Sequence, residues 1–302
     1  MTVKNRSRIC LTVSCCIFVL ALVLSLFGLG INQGIDFAGG MAMQYSMGKE
    51  VAQSDVEDVF KGMNIDAAVT VQGANRDEVN IRIKDIATED VQTIQQRFVE
   101  GISEKYPDVT QNGEVNYVGP VAGRTLLSNA FWSVVIAAAL MLIYIAIRFD
   151  FSSGLAAVLG LLHDVLMMLA FMVLLRSIIQ MNSTFIAAML TIVGYSINNT
   201  IVIFDRIREN EKKTPGDDRV TIVNRSVKEC LGRTLNTTIT TLITIVALYI
   251  MGVASIKEFA LPIIVGILSG VYSANMINGY VWAMLDEKLS VGKKSKKVKA
   301  KA

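Results

Sequence analysis

Two neighbouring amides, Asn198 and Asn199, sit in a run that begins apolar and ends charged, TIVGYSINNTIVIFDRIREN from Thr191 to Asn210. At helical spacing Thr191, Tyr195, Asn198, Val202 and Asp205 fall on one face. Unsatisfied polar groups are costly in hydrocarbon, so this stripe is expected to face other helices or a wet path. Upstream, Asp164 follows His163, the one histidine of the chain, near the middle of another apolar run. A carboxylate at mid-bilayer costs roughly 2.5–3.5 kcal/mol on insertion scales, and such residues mark ion, proton or substrate paths. The blander alternative is a protonated Asp164 hydrogen-bonded between helices. His163 fits a proton relay and a packing role equally well. A third set, Arg233, Asn236, Thr237, Thr240 and Thr244, lines one face of GRTLNTTITTLIT. Threonines in such runs often satisfy the carbonyls of their own helix. Arg233 counts to the depth of Asn199, so the two stripes are expected to form one polar seam.

The elements that position these residues are membrane helices. The chain has 302 residues, 52% of them apolar and 18% charged. Its mean hydropathy is +0.48. Six segments reach the length of about 20 residues needed to cross a bilayer: 9–31, 126–147, 154–175, 184–204, 234–254 and 259–282. With residues 1–8 in the cytoplasm, Lys4, Arg6, Arg8 and Arg148 lie inside, as do the basic residues from Arg206 to Arg233 and from Lys288 to Lys301. The short outer loops then hold only Arg176 and Lys257, as the positive-inside rule requires. The apolar run Ile9–Ile31 is long for a signal sequence and no small-x-small site follows it, so it reads as a retained anchor. Gly266 and Gly270 form a GxxxG suited to close helix packing.

Between the first two spans, residues 32–125 read as a small α+β domain. Strands are expected at Met41–Met47, Ala67–Gln72, Val79–Lys84 and Val115–Val118. Helices are expected at Ser54–Met63, with Val56, Val59 and Phe60 inward, and at Thr88–Lys105, with Val91, Ile94, Phe98 and Ile102 inward. This order fits a ferredoxin-like sandwich. A loop at 205–233 is expected to carry an amphipathic helix at Val220–Leu231, and the basic tail 283–302 to lack order after Leu289. Gly39-Gly40 and Gly119-Pro120 read as turns.

Several chemistries are disfavoured. No Gly-x-Ser-x-Gly, phosphate loop or metal-ligand cluster occurs, so the expectation is movement or binding without enzymatic turnover or a cofactor. Cys10, Cys15, Cys16 and Cys230 all lie outside the exported domain and read as small apolar fillers. The net charge of +3 follows from topology and gives no case for nucleic-acid binding. The lysine tail reads as a topology anchor that can touch anionic lipid.

Five pieces together resemble one family: GIDFAGG (34–40), VGPVAGRTL (118–126), the HD pair at 163–164, VGYSINNTIVIFDRIREN (193–210) and RTLNTTITTLITIVALYIMG (233–252). In order and spacing they resemble the SecF branch of the SecD/SecF protein-export family, within the resistance-nodulation-division superfamily. The resemblance implies an accessory motor of the Sec translocon in the bacterial cytoplasmic membrane. It also implies a SecD subunit as heterodimer partner, with the SecYEG channel, YajC, a YidC-type insertase and translocating preproteins as further partners. The transported ion that the resemblance implies is H+ or Na+. Asp36, Gly39, Gly40, Gly119, Pro120, Asp205 and Arg206 are motif residues with a structural reading.

In the family the fourth-span motif usually ends Asn-Asp-Thr, with that Asp as proton carrier opposite a fifth-span Arg. Arg233 matches, but the Asp position is Asn199, and an amide does not titrate. Three alternatives stay open. Asp164, with a carboxylate from SecD, carries the ion; Asn199 helps to coordinate sodium; or coupling is weakened or lost. The last would leave a non-coupling scaffold of the translocon. A small-molecule or lipid exporter of the superfamily would need a far larger ectodomain.

Overall fold

Glycine and proline set the limits of the long helices. The computed structural model describes residues 3–73, 75–84, 86 and 90–299, with side chains described outside 3–4, 146, 254 and 290–299. The chain divides into two compact units, one of Met1–Asn32, Ser133–Ile179 and Thr184–Ala302, the other of Gln33–Trp132 and Gln180–Ser183.

Among the described residues, six stretches are helical, long and apolar enough to cross a membrane. Helix α1 is Val3–Leu26. It stops short of the expected Ile31 because Gly28 turns left-handed (φ 78°), and the Leu29 N–H closes on the Leu24 carbonyl at 2.9 Å. Helix α5 (Pro120–Arg148) begins earlier than expected. Gly119-Pro120 is therefore a helix start, with Pro120 at the first helical position, where a missing N–H costs nothing. Helix α6 is Phe151–Leu174.

The largest departure lies between the fourth and fifth spans. Helix α7 runs Ser183–Lys213 and helix α8 Arg219–Met251, so both continue through the expected loop and leave only the Pro215-Gly216 turn. The amphipathic segment at 220–231 is the first part of α8. Its bonds to α7 explain the extension: Arg206 pairs with Glu229 at 2.6 Å, Asn210 donates to Ser226 Oγ at 3.0 Å, and Arg219 pairs with Glu211. The sixth span is α9 (Ala254–Ser273), a π-helical segment Ala274–Asn278, and α10 (Gly279–Lys299). Helix thus continues past Leu289, where the tail was expected to lose order; the side chains of its lysines from Lys293 onward lie outside the described residues.

The second unit holds a short helix α2 (Ile35–Ala38), strands β1 (Gly40–Ser46), β2 (Ala67–Gln72) and β3 (Glu78–Lys84), and helices α3 (Gln53–Gly62) and α4 (Val91–Ser103). Thr88, expected to open α4, lies outside the described residues. The final strand is split into β4 (Thr110–Gln111) and β5 (Asn116–Val118), each antiparallel to β1. Strand order is β2-β3-β1-β4, the ferredoxin-like arrangement. Met41, Met43 and Tyr45 of β1 and Val79, Ile81 and Ile83 of β3 alternate into the core. Val56 and Phe60 of α3 and Ile94, Phe98 and Ile102 of α4 meet them there. Phe60 stacks on Phe98 with ring centroids 5.2 Å apart.

Candidate functional site

Asp164 is fully buried, with 0% of its surface exposed. Each carboxylate oxygen accepts two hydrogen bonds. Oδ1 takes one from His163 Nδ1 at 3.0 Å and one from Ser269 Oγ at 2.8 Å. Oδ2 takes one from Ser273 Oγ at 2.9 Å and one from Ser196 Oγ. The group thereby joins α6, α7 and α9. His163 extends the cluster to α1 through Nε2 and Ser14 Oγ, 2.8 Å apart. Phe18 and Tyr272 pack near its ring, at centroid distances of 5.7 and 6.0 Å.

Close helix approach makes this cluster reachable. A Cβ at Gly266 would lie 2.5 Å from Ile192 Cγ1, and one at Gly270 3.1 Å from Ser196 Cβ. The GxxxG of the sixth span thus brings α9 onto α7 at the level of Ser196. The four serines were not singled out in the sequence. The available signal was Ser269 and Ser273, four residues apart on a helix and so on one face with Asp164 within reach.

A second buried polar set lies around the π-helical segment. Asn278 Nδ2 donates to Thr200 Oγ1 at 2.9 Å, and Thr234 Oγ1 lies 3.3 Å from Asn275 Oδ1. Asn278 packs against Gly160, where any Cβ would come within 2.3 Å of the amide. The π-helical turn disrupts the regular bonding ladder, and Ser7 Oγ of α1 donates to its Met276 carbonyl.

The two stripes meet where Tyr195 Oη lies 3.5 Å from the Thr237 carbonyl and from Thr241 Oγ1, but Asn199 is not on that face. Asn199 is 2% exposed and faces inward, whereas Asn198 faces outward. Arg233, Asn236, Thr237, Thr240 and Thr244 of α8 also face outward, and the buried side of that helix carries Thr234 and Thr238. Depth is as counted, by the Tyr195 contact and by Cys230 Sγ, which reaches the Val202 carbonyl at 3.7 Å. Asn199 and Arg233 are therefore near in height but point to different sides, because their helical phases differ. The outward threonines spend their hydroxyls on their own helix, as Thr237 does on the Arg233 carbonyl at 2.9 Å. Among the described residues, Arg233 has no ion pair and the Asn199 amide nitrogen no hydrogen-bond partner.

The motif residues are structural in their contacts. Asp36 Oδ2 accepts from the Ser183 N–H at 2.9 Å, at the first residue of α7. Gly39 and Gly40 take φ of 84° and 132°. A Cβ on Gly40 would fall 2.2 Å from the Ile83 carbonyl oxygen, so the β1–β3 pairing requires glycine there. Asp205 pairs with Arg148 of α5 at 3.8 Å, and Arg206 with Glu209 at 2.5 Å as well as with Glu229.

A family model for the C-terminal region of protein export membrane proteins SecD/SecF matches residues 99–288, and one for the SecD/SecF GG motif matches 24–51. The chain belongs to the SecD/SecF family. It is 36% identical over 271 residues to a protein translocase subunit SecF of Alicyclobacillus acidocaldarius, covering 86% of this chain and 84% of that one. It is 34% identical to the protein translocase subunit SecDF of Bacillus subtilis, covering 83% of this chain and 34% of the relative. The crystal structure of SecDF from Thermus thermophilus, a translocon-associated membrane protein, superposes with a TM-score of 0.80 at 30% identity. That match covers 94% of this chain and 38% of the longer SecDF chain. Within this SecD/SecF fold, the GG model spans the Gly39-Gly40 pair whose backbone requires glycine.

Proposed function

We propose that this chain is a SecF-type accessory subunit of the Sec protein translocase that couples an ion gradient to late preprotein movement through Asp164. The observation that carries the reading is a membrane-buried carboxylate bonded by three serine hydroxyls from α7 and α9 and by the neighbouring imidazole. An ionised carboxylate accepts only; a protonated one must donate. Protonation of Asp164 therefore obliges one of its four partners to become an acceptor: either His163 Nδ1 changes tautomer, or the hydroxyl of Ser196, Ser269 or Ser273 turns, which changes how α7 or α9 is held against α6. His163 is within reach to exchange that proton, and its other nitrogen leads to Ser14 on α1.

The chain works in the bacterial cytoplasmic membrane with both termini inside. Its partners are a SecD subunit, the SecYEG channel, YajC, a YidC-type insertase and the moving preprotein. The outward polar face of α8 is the surface a SecD helix covers, since a lipid-exposed Arg233 is costly and a partner carboxylate answers its charge. A non-coupling scaffold remains the second reading, favoured by an amide at Asn199.

The test uses membrane vesicles holding this chain, its SecD partner and the channel, with a preprotein stalled late in export and ATP removed. An imposed proton or sodium gradient is expected to drive completion, and Asp164→Asn to abolish it. Completion indifferent to both gradients would leave the scaffold.

A further inference from the structure

Strand β2 is the free edge of the five-stranded sheet. Its six residues, AAVTVQ, pair with β3 in an unbroken register from Ala67↔Ile83 to Gln72↔Glu78. Natural edge strands are usually guarded by lysine, proline, inward charge or a bulge. None of these occurs between Ala67 and Gln72.

The direction of the main chain follows from the ladder. The Met47 N–H donates to the Asp77 carbonyl at 2.7 Å, which continues the β1–β3 register. Bonded pairs alternate along an antiparallel ladder, so odd-numbered residues of β3 turn their main chain to β1 and even-numbered ones to β2. Through their register partners, Ala68, Thr70 and Gln72 bond inward to β3. Ala67, Val69 and Val71 then turn their N–H and C=O groups to the open edge while their side chains pack on the core. No backbone hydrogen bond reaches these outward groups among the described residues.

We infer that the β2 edge is a docking site for an extended, unfolded polypeptide segment, which adds as a further strand. Three donor–acceptor sets at two-residue spacing complement another extended main chain and do not depend on its side chains. The residues flanking them on the outward surface, Ala68 and Thr70, are small and uncharged, so most segments fit without clash or repulsion. This choice of occupant rests on the export reading above, because a chain passing through a translocase is unfolded and has its main-chain groups unpaired. A second copy of this chain, or the sheet edge of another subunit, would use the same groups, and the experiment separates them.

The full chain in lipid nanodiscs is titrated with a fluorescent nine-residue peptide of alternating Thr and Val, followed by anisotropy. A second peptide carries N-methyl groups on alternate amides of the face that pairs. Methylation is expected to weaken binding by about tenfold or more, as loss of main-chain bonds requires. Val71→Pro removes one outward N–H while sparing the inward ladder, and is expected to weaken binding similarly; Lys61→Ala on α3 is expected to leave it unchanged. Amide exchange across residues 67–72 is expected to slow on adding the peptide, which tests the site without any variant. Equal binding of both peptides, or unchanged exchange at 67–72, would overturn the inference. So would light scattering that shows Val71→Pro splitting a dimer or releasing SecD. No ion gradient enters the assay, so failure here leaves the coupling test untouched.

Discussion

Replacing Asp164 by alanine and by asparagine separates its structural from its coupling role. Alanine removes the acceptor of four donors in a site that water does not reach. Ser273 already shares its hydroxyl with the Gly270 carbonyl at 3.2 Å and keeps that partner. His163, Ser196 and Ser269 lose a partner outright, and each buried donor left unmade costs about 1–3 kcal/mol. The sum is about 3–9 kcal/mol, partly recovered because the carboxylate no longer has to be desolvated. At about 2–4 °C per kcal/mol, the low end alone lowers the melting point by about 6 °C. Asparagine behaves differently. Its oxygen keeps two donors, its NH2 donates to serine oxygens whose hydroxyls rotate, and the fold survives. The assay is thermal unfolding of the purified full chain in detergent, read by tryptophan fluorescence, run beside gradient-driven translocation. The expected pattern is a large melting loss for alanine, and a small one for asparagine with export lost. An alanine variant melting within about 2 °C of the parent would refute the account of four buried hydrogen bonds.

Further outcomes follow from single contacts. Gly160→Ala pushes a methyl into the Asn278 amide and should cost about 1–3 kcal/mol in the unfolding midpoint, because the bond to Thr200 must break. Gly40→Ala should destabilise the small α+β domain by more than about 1 kcal/mol, seen as earlier loss of its sheet in amide exchange. Lys105 and then Tyr106 hydrogen-bond Asp55 and hold its carboxyl below the ordinary value of 3.8. Stability from this group is present above pH 3.8 and is lost as pH falls through the lowered value. Tyr106→Phe removes a 2.8 Å bond, so carbon NMR should show Asp55 titrating at higher pH and acid unfolding should begin sooner. Arg233→Gln should shift the melting of the isolated chain by less than about 0.5 kcal/mol, since the side chain is exposed, yet weaken co-purification with SecD.

Apolar length and glycine–proline punctuation are local properties, so six spans and the strand order of the small α+β domain were legible in the sequence. The alternation Val79, Ile81, Ile83 and the 3/4 spacing of Ile94, Phe98 and Ile102 named core residues outright. Asp164 was equally visible, because a carboxylate in an apolar run stands out on energetic grounds. Its partners were not, since Ser196, Ser269 and Ser273, and Ser14 behind His163, come from three further helices and serine is unremarkable in any one of them. Helical phase was decided only by packing. Asn198 and Asn199 are adjacent in sequence and differ by about 100° around α7, and nothing local says which of them the bundle buries. The Gly266 and Gly270 approach to Ile192 and Ser196 fixes the rotation of α7 and places Asn199 inside; Arg233 lies on the outer face of α8, whose buried side carries Thr234 and Thr238.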